Sequence, residues 1–123
     1  MADTKEQIRR ELTNLEQSER IRILYACESG SRAWGFASKD SDYDVRFIYI
    51  HEPNWYLSVR DRRDVIERQL EHDLDVAGWD IRKALVLFGK SNPPLLEWLQ
   101  SPTIYRRDAV FTEKLCQLIP QYY

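Results

Sequence analysis

Two short apolar runs limit what this chain can fold into: IRILYACES from Ile21, and DYDVRFIYI from Asp42 to Ile50. Each is rich in β-branched and aromatic residues and bounded by polar or turn-forming ones, the pattern of a strand. Gly30 and Ser31 break the first, and RAWGFASKDS joins it to the second as a loop with room for one helical turn. His51, Glu52, Pro53 and Asn54 then read as a turn. Ahead of the strands Thr4 is a candidate N-cap, and Ile8, Leu12 and Leu15 recur at i, i+4 and i+7, predicting an amphipathic helix with a charged outer face. Val65, Ile66, Leu70, Leu74 and Val76 predict one long strand over 64–76, because Leu70, His72, Leu74 and Val76 alternate with acidic residues.

Ile81, Ala84, Leu85 and Phe88 give a helical face. Asn92 followed by Pro93 and Pro94 marks a stop and a new helix start, since proline is tolerated in a first turn. Leu95, Leu96, Trp98 and Leu99 fill that helix, Ser101-Pro102 ends it, and a last helix is expected over 108–118. A helix, three strands and then helices predict an α+β class: a small mixed β-sheet with helices packed on one face, in a single domain over 1–123.

With 43% hydrophobic and 31% charged residues the chain can close a core. Its net charge of -2 and pI of about 5.7 argue against holding nucleic acid by bulk charge. The charged opening MADTKEQIRRELTNLEQ is no secretory signal, and no apolar run is long enough for a bilayer. Cys27 and Cys116, with His51 and His72 at unrelated spacings, form no zinc pattern and read as reduced thiols of a cytoplasmic protein.

Asp42 and Asp44 are one residue apart at the start of a predicted strand, so strand alternation aims both carboxylates the same way. Two anions held together call for a cation, and Mg²⁺ prefers one or two carboxylates plus substrate phosphates. Gly30 and Ser31 lie just beyond the preceding strand, and ten residues, Arg32 to Ser41, separate Ser31 from Asp42. A helical turn opening at Ser31 would offer backbone N–H groups and a hydroxyl as a phosphate cradle. Arg46 shares the parity of Asp42 and Asp44, and Arg32 follows the Gly-Ser pair; both are candidate phosphate contacts. Asp40, Asp42 and Asp44 also open like a calcium loop, but Val45 and His51 stand where Gly and Glu are needed. Trp34, Trp79 and Trp98 read as core, Arg60, Arg62 and Arg63 as a solvated face, and Trp55 and Tyr56 as candidates to border a cleft.

A Gly-Ser pair, ten residues, then Asp-x-Asp entering an apolar strand resembles the signature of the DNA polymerase beta-like nucleotidyltransferase superfamily. GSRAWGF, SDYDVRFIY, AGWDIRKAL and NPPLLEWLQSP resemble more closely the predicted nucleotidyltransferases of RNA-repair operons. The resemblance implies that Gly30 and Ser31 meet the nucleotide phosphates and that Asp42 and Asp44 bind metal, Mg²⁺ or Mn²⁺. It implies a third carboxylate on a neighbouring strand, for which Asp75, at the end of the strand before Gly78, is the choice and Asp73 or Asp80 the alternatives. It further implies transfer of a nucleoside monophosphate from a nucleoside triphosphate to a hydroxyl on an RNA end, a protein or a small molecule. Superfamily members add a helical region that clasps base and acceptor, and a chain stopping at Tyr123 is expected to lack much of it. A non-catalytic nucleotide- or partner-binding module on the same fold is the alternative.

Overall fold

The computed structural model describes residues 4–29, 43–57, 63–70, 74–90, 92–111 and 113. Helix α1 (Thr4–Glu19) precedes strand β1 (Ile21–Glu28) and strand β2 (Tyr43–His51). A one-turn helix, α2 (Pro53–Tyr56), follows, then β3 (Val65–Leu70), β4 (Leu74–Asp80), α3 (Ile81–Gly89), α4 (Pro93–Leu99) and β5 (Ile104–Arg107). The five strands form one sheet in the order β3-β4-β2-β1-β5. Among the described residues only β2 and β4 run parallel; the other neighbours are antiparallel, so the sheet is mixed.

The α+β class stands, and the helices are distributed over both faces where the sequence suggests one. Ile8 and Leu12 of α1 pack against Ile23, Ala26, Val45, Phe47 and Tyr49 on one face. Ala84 and Phe88 of α3, and Leu95, Leu96 and Trp98 of α4, cover Tyr25, Cys27 and Ile48 on the other. The reason lies in β1, which is buried at every position but Arg22. A strand apolar on both sides needs cover on both. An irregularity between Ile23 and Tyr25 re-phases the alternation, which puts Ile23 and Ala26 on the α1 face and Tyr25 and Cys27 on the other.

Two expected elements are corrected. The single strand over 64–76 is the hairpin β3–β4, whose last pair is Leu70↔Leu74. Alternation continues in phase across the polar residues 71–73, so the pattern carries no mark of the reversal. The last helix is preceded by β5, which pairs with β1 and which the sequence analysis lacks. A strand of four residues ending in two arginines has the character of a protected edge, and its apolar signal is weak. Of that last helix, residues 109–111 and 113 are described as helical and the rest lies outside the described residues. Side-chain caps open two helices: Asn92 Oδ1 accepts from Leu95 N at 3.1 Å, at the helix start that the sequence implies, and Asp80 Oδ1 accepts from Arg82 N at 2.8 Å.

Burial above all, and then the neighbouring Glu28 carboxylate, push the Cys27 thiol from 9.0 up to about 12. The unfolded thiol therefore ionises first. Between these values the unfolded chain holds fewer protons than the folded one, and stability falls as pH rises by about 1.4 kcal/mol per pH unit for one such group. The contribution is fully present below the unfolded value. Denaturant midpoints followed upward from about pH 8 are expected to decline more gently in Cys27→Ala than in the wild type.

Candidate active site

Adjacent parallel strands bring three of the sequence-predicted residues together. The β2–β4 register sets Asp44 opposite Asp75, Arg46 opposite Ala77 and Ile48 opposite Trp79. Ile48 and Trp79 belong to the core under α3 and α4, so by strand alternation Asp44, Arg46 and Asp75 share that face. They sit where both strands begin. Arg46 lies between the carboxylates: its Nη2 donates to Asp75 Oδ2 at 3.1 Å and stands 4.0 Å from Asp44 Oδ1. Its Nη1 donates to the carbonyls of Val45 at 3.0 Å and Asp75 at 3.2 Å, which fixes the guanidinium plane. The side chains of Asp44 and Asp75 keep 32% and 37% of their surface, enough for a ligand to reach them.

Asp75 is near the start of β4, not at the end of a strand before Gly78; the division of the expected single strand into β3 and β4 accounts for the difference. Asp80 is removed from this cluster. It is fully buried at the far end of β4, where it caps α3 and accepts from the Tyr56 hydroxyl at 2.8 Å. Trp55 and Tyr56 belong to that far end as well. Trp55 stacks on His51 at 4.0 Å, and His51 is seven residues along β2 from Asp44, about 23 Å at ~3.3 Å per residue. They do not border the carboxylate cluster. Trp98 is buried and stacks on Trp79, as core aromatics do. Gly30, Ser31, Arg32, Asp42, Asp73, Trp34, Arg60, Arg62 and Cys116 lie outside the described residues.

The last described residue before Gly30 and Ser31, Ser29, lies beside Asp44. Ser29 N donates to the Asp44 carbonyl at 2.9 Å, and the Ser29 hydroxyl donates to it at 3.3 Å. The residue before Ser29 is one that the sequence analysis missed. Glu28 is 1% exposed, and its Oε2 accepts from the Asp44 amide at 2.8 Å. Its only sequence signal is a carboxylate closing an otherwise apolar run.

Two registered carboxylates on one face supply hard oxygen donors, and a third group of opposite sign already lies between them. Among the described residues no set of three His, Cys, Asp or Glu could hold a metal unaided. A pair of carboxylates is what Mg²⁺ takes when waters and phosphates complete its shell, so Asp44 and Asp75 fit such an ion.

Among the described residues, no helix is long and apolar enough to cross a membrane. No solved structure matches the chain significantly. It is 54% identical over 114 residues to a Bacillus subtilis (strain 168) protein called Uncharacterized protein YcgL. The match covers 93% of this chain and 44% of that relative, so the chain spans less than half of the relative's length. A family model, that of the RNA repair pathway DNA polymerase beta family (RlaP), matches residues 4–123. With a mixed sheet that pairs Asp44 with Asp75, and a match over nearly all of its length, the chain belongs to the RNA repair pathway DNA polymerase beta family.

Proposed function

We propose that this chain is the nucleotidyl-transferring domain of a metal-dependent nucleotidyltransferase. The observation that carries the reading is the in-register pair Asp44 and Asp75, aimed to one face of the sheet with Arg46 between them. The acceptor hydroxyl oxygen bonds to the α-phosphorus of a nucleoside triphosphate. The bond from that phosphorus to the bridging oxygen breaks, pyrophosphate leaves, and the hydroxyl proton goes to solvent. Bound Mg²⁺ or Mn²⁺ would lower the pKa of the attacking hydroxyl and offset charge on the leaving pyrophosphate. Asp42, Asp44 and Asp75 would hold the ion. Gly30, Ser31, Arg32 and Arg46 would meet the phosphates, which fits a guanidinium already held among carbonyl and carboxylate oxygens. The family supports an RNA end as acceptor.

The second reading is a nucleotide-binding module without turnover. It is favoured by Arg46, whose single positive charge already offsets one of the two carboxylate charges. Incubation with labelled nucleoside triphosphates, Mg²⁺ and RNA ends separates the two. The wild type is expected to form product and Asp42→Ala/Asp44→Ala none; equal product from both removes the catalytic assignment. Calorimetric heat on adding a nucleoside triphosphate with Mg²⁺, in the absence of product, assigns the binding module. No heat with any nucleotide removes both readings.

A further inference from the structure

Glu28 is a carboxylate that a core of this kind does not need. Glutamate is almost never fully buried without partners, and an apolar residue would fill the same place without stranding a charge. Here the side chain is 1% exposed, and both oxygens accept hydrogen bonds. Oε1 accepts from the Tyr105 hydroxyl of β5 at 2.8 Å. Oε2 accepts from the main-chain N–H of Asp44 at 2.8 Å. The residue's own backbone is held on the β5 side, where its N–H donates to the Thr103 carbonyl at 3.0 Å and its carbonyl accepts from the Ser101 hydroxyl at 2.6 Å.

The bond to Asp44 comes where the ladder of β1 and β2 ends. In a regular antiparallel pair, one residue exchanges both its N–H and its C=O with the residue opposite. At Asp44 the C=O does take the Ser29 N–H, but the N–H turns to the Glu28 carboxylate. The ladder between β1 and β2 ends at Glu28, whose carboxylate takes the Asp44 amide. The Asp44 residue is thereby held at both its N–H and its C=O. A peptide fixed on both sides fixes the Cα–Cβ direction between them.

We infer that Glu28 is a positioning residue for the carboxylate cluster: by accepting the Asp44 amide from the opposite face of the sheet, it holds the Asp44 side chain in line with Asp75. The inference rests on the reading of Asp44 as a metal ligand. It does not make Glu28 a ligand, since its carboxylate is directed at Tyr105 and at the backbone.

Titration of the protein with Mn²⁺, followed by electron paramagnetic resonance, tests it without recourse to turnover. Glu28→Leu removes the acceptor and is expected to weaken Mn²⁺ binding about 10–100-fold, the usual consequence of losing a group that orients a ligand. Glu28→Thr, too short to reach Asp44, replaces it if the leucine chain does not fold. Glu28→Gln is expected to restore most of the affinity. Its amide oxygen can take the Asp44 N–H, and its amide nitrogen can donate to a Tyr105 hydroxyl that rotates to accept. Ile8→Val, a core truncation on α1, is expected to lower the melting temperature and leave Mn²⁺ affinity unchanged, which separates positioning from general loss of stability. Wild-type affinity in Glu28→Leu or Glu28→Thr overturns the proposal, and so does a Glu28→Gln protein as weak as these. Asp44→Asn keeps the two failures apart: if it binds Mn²⁺ as the wild type does, the reading of Asp44 itself falls and Glu28 has nothing to position.

Discussion

Asp75→Asn is expected to abolish measurable nucleotidyl transfer while leaving the fold almost untouched. The loss follows from charge. Asparagine keeps the shape and one acceptor oxygen but supplies no anion, and a divalent ion held as proposed would lose one of its carboxylates. Such an ion contributes several kcal/mol of transition-state stabilisation, so losing it costs a rate factor of about a thousand or more. The fold is spared because the pair Asp75–Arg46 is partly open to solvent and belongs to a class worth about 0–1 kcal/mol. Arg46 keeps its bonds to the carbonyls of Val45 and Asp75. Transfer rate and melting temperature measured on the same preparation check both halves. A variant that keeps its transfer rate removes Asp75 from the site and leaves Asp73, the other residue of its parity, to be tested. A variant that unfolds would mean that the Arg46 pair carries far more of the fold than its exposure implies.

The strand pattern made one half of this cluster legible and hid the other. Alternation in DYDVRFIYI puts Asp42, Asp44 and Arg46 on one side, and the structure has Asp44 and Arg46 there. Alternation works because it is local. The partner strand was harder, since residues 70–76 keep their phase through the polar stretch 71–73, and a hairpin with no glycine or proline leaves no mark. Only the parallel register of β4 against β2 puts Asp75 opposite Asp44, and register is a tertiary property. Glu28 was illegible for the same reason. At the end of an apolar run a carboxylate looks like a strand terminus in water. Its burial depends on Tyr105, from a four-residue strand 77 positions away, closing over it. The helix start at Asn92 needed no such context, because a cap is read within one turn of its own helix.

The same register predicts a large stability effect at Gly78. Gly78 pairs with Phe47 three residues along from the Asp44–Asp75 pair, and a Cβ built on it would fall 2.2–2.4 Å from three carbons of the Phe47 ring. No real Cβ tolerates that distance, and Phe47 has nowhere to go: it is fully buried among Val45, Tyr49, Ala26 and Val76. Gly78→Ala must therefore expel the ring or push β4 away from β2. Overpacking of a dense core usually costs about 1–3 kcal/mol. Displacing a buried phenylalanine approaches the cost of its deletion, about 3–5 kcal/mol. The expected destabilisation in urea denaturation is thus about 3 kcal/mol or more. If the ring is the cause, the two sites must couple. In a Phe47→Leu background, Gly78→Ala should cost clearly less, whereas equal cost in both backgrounds would assign the loss to the backbone of β4 and not to the ring. The consequence reaches the site, because Phe47 against Gly78 lets β2 and β4 approach as neighbours. Any protein that survives the substitution by opening this seam should bind Mn²⁺ more weakly, with Asp44, Asp75 and Arg46 all intact in sequence.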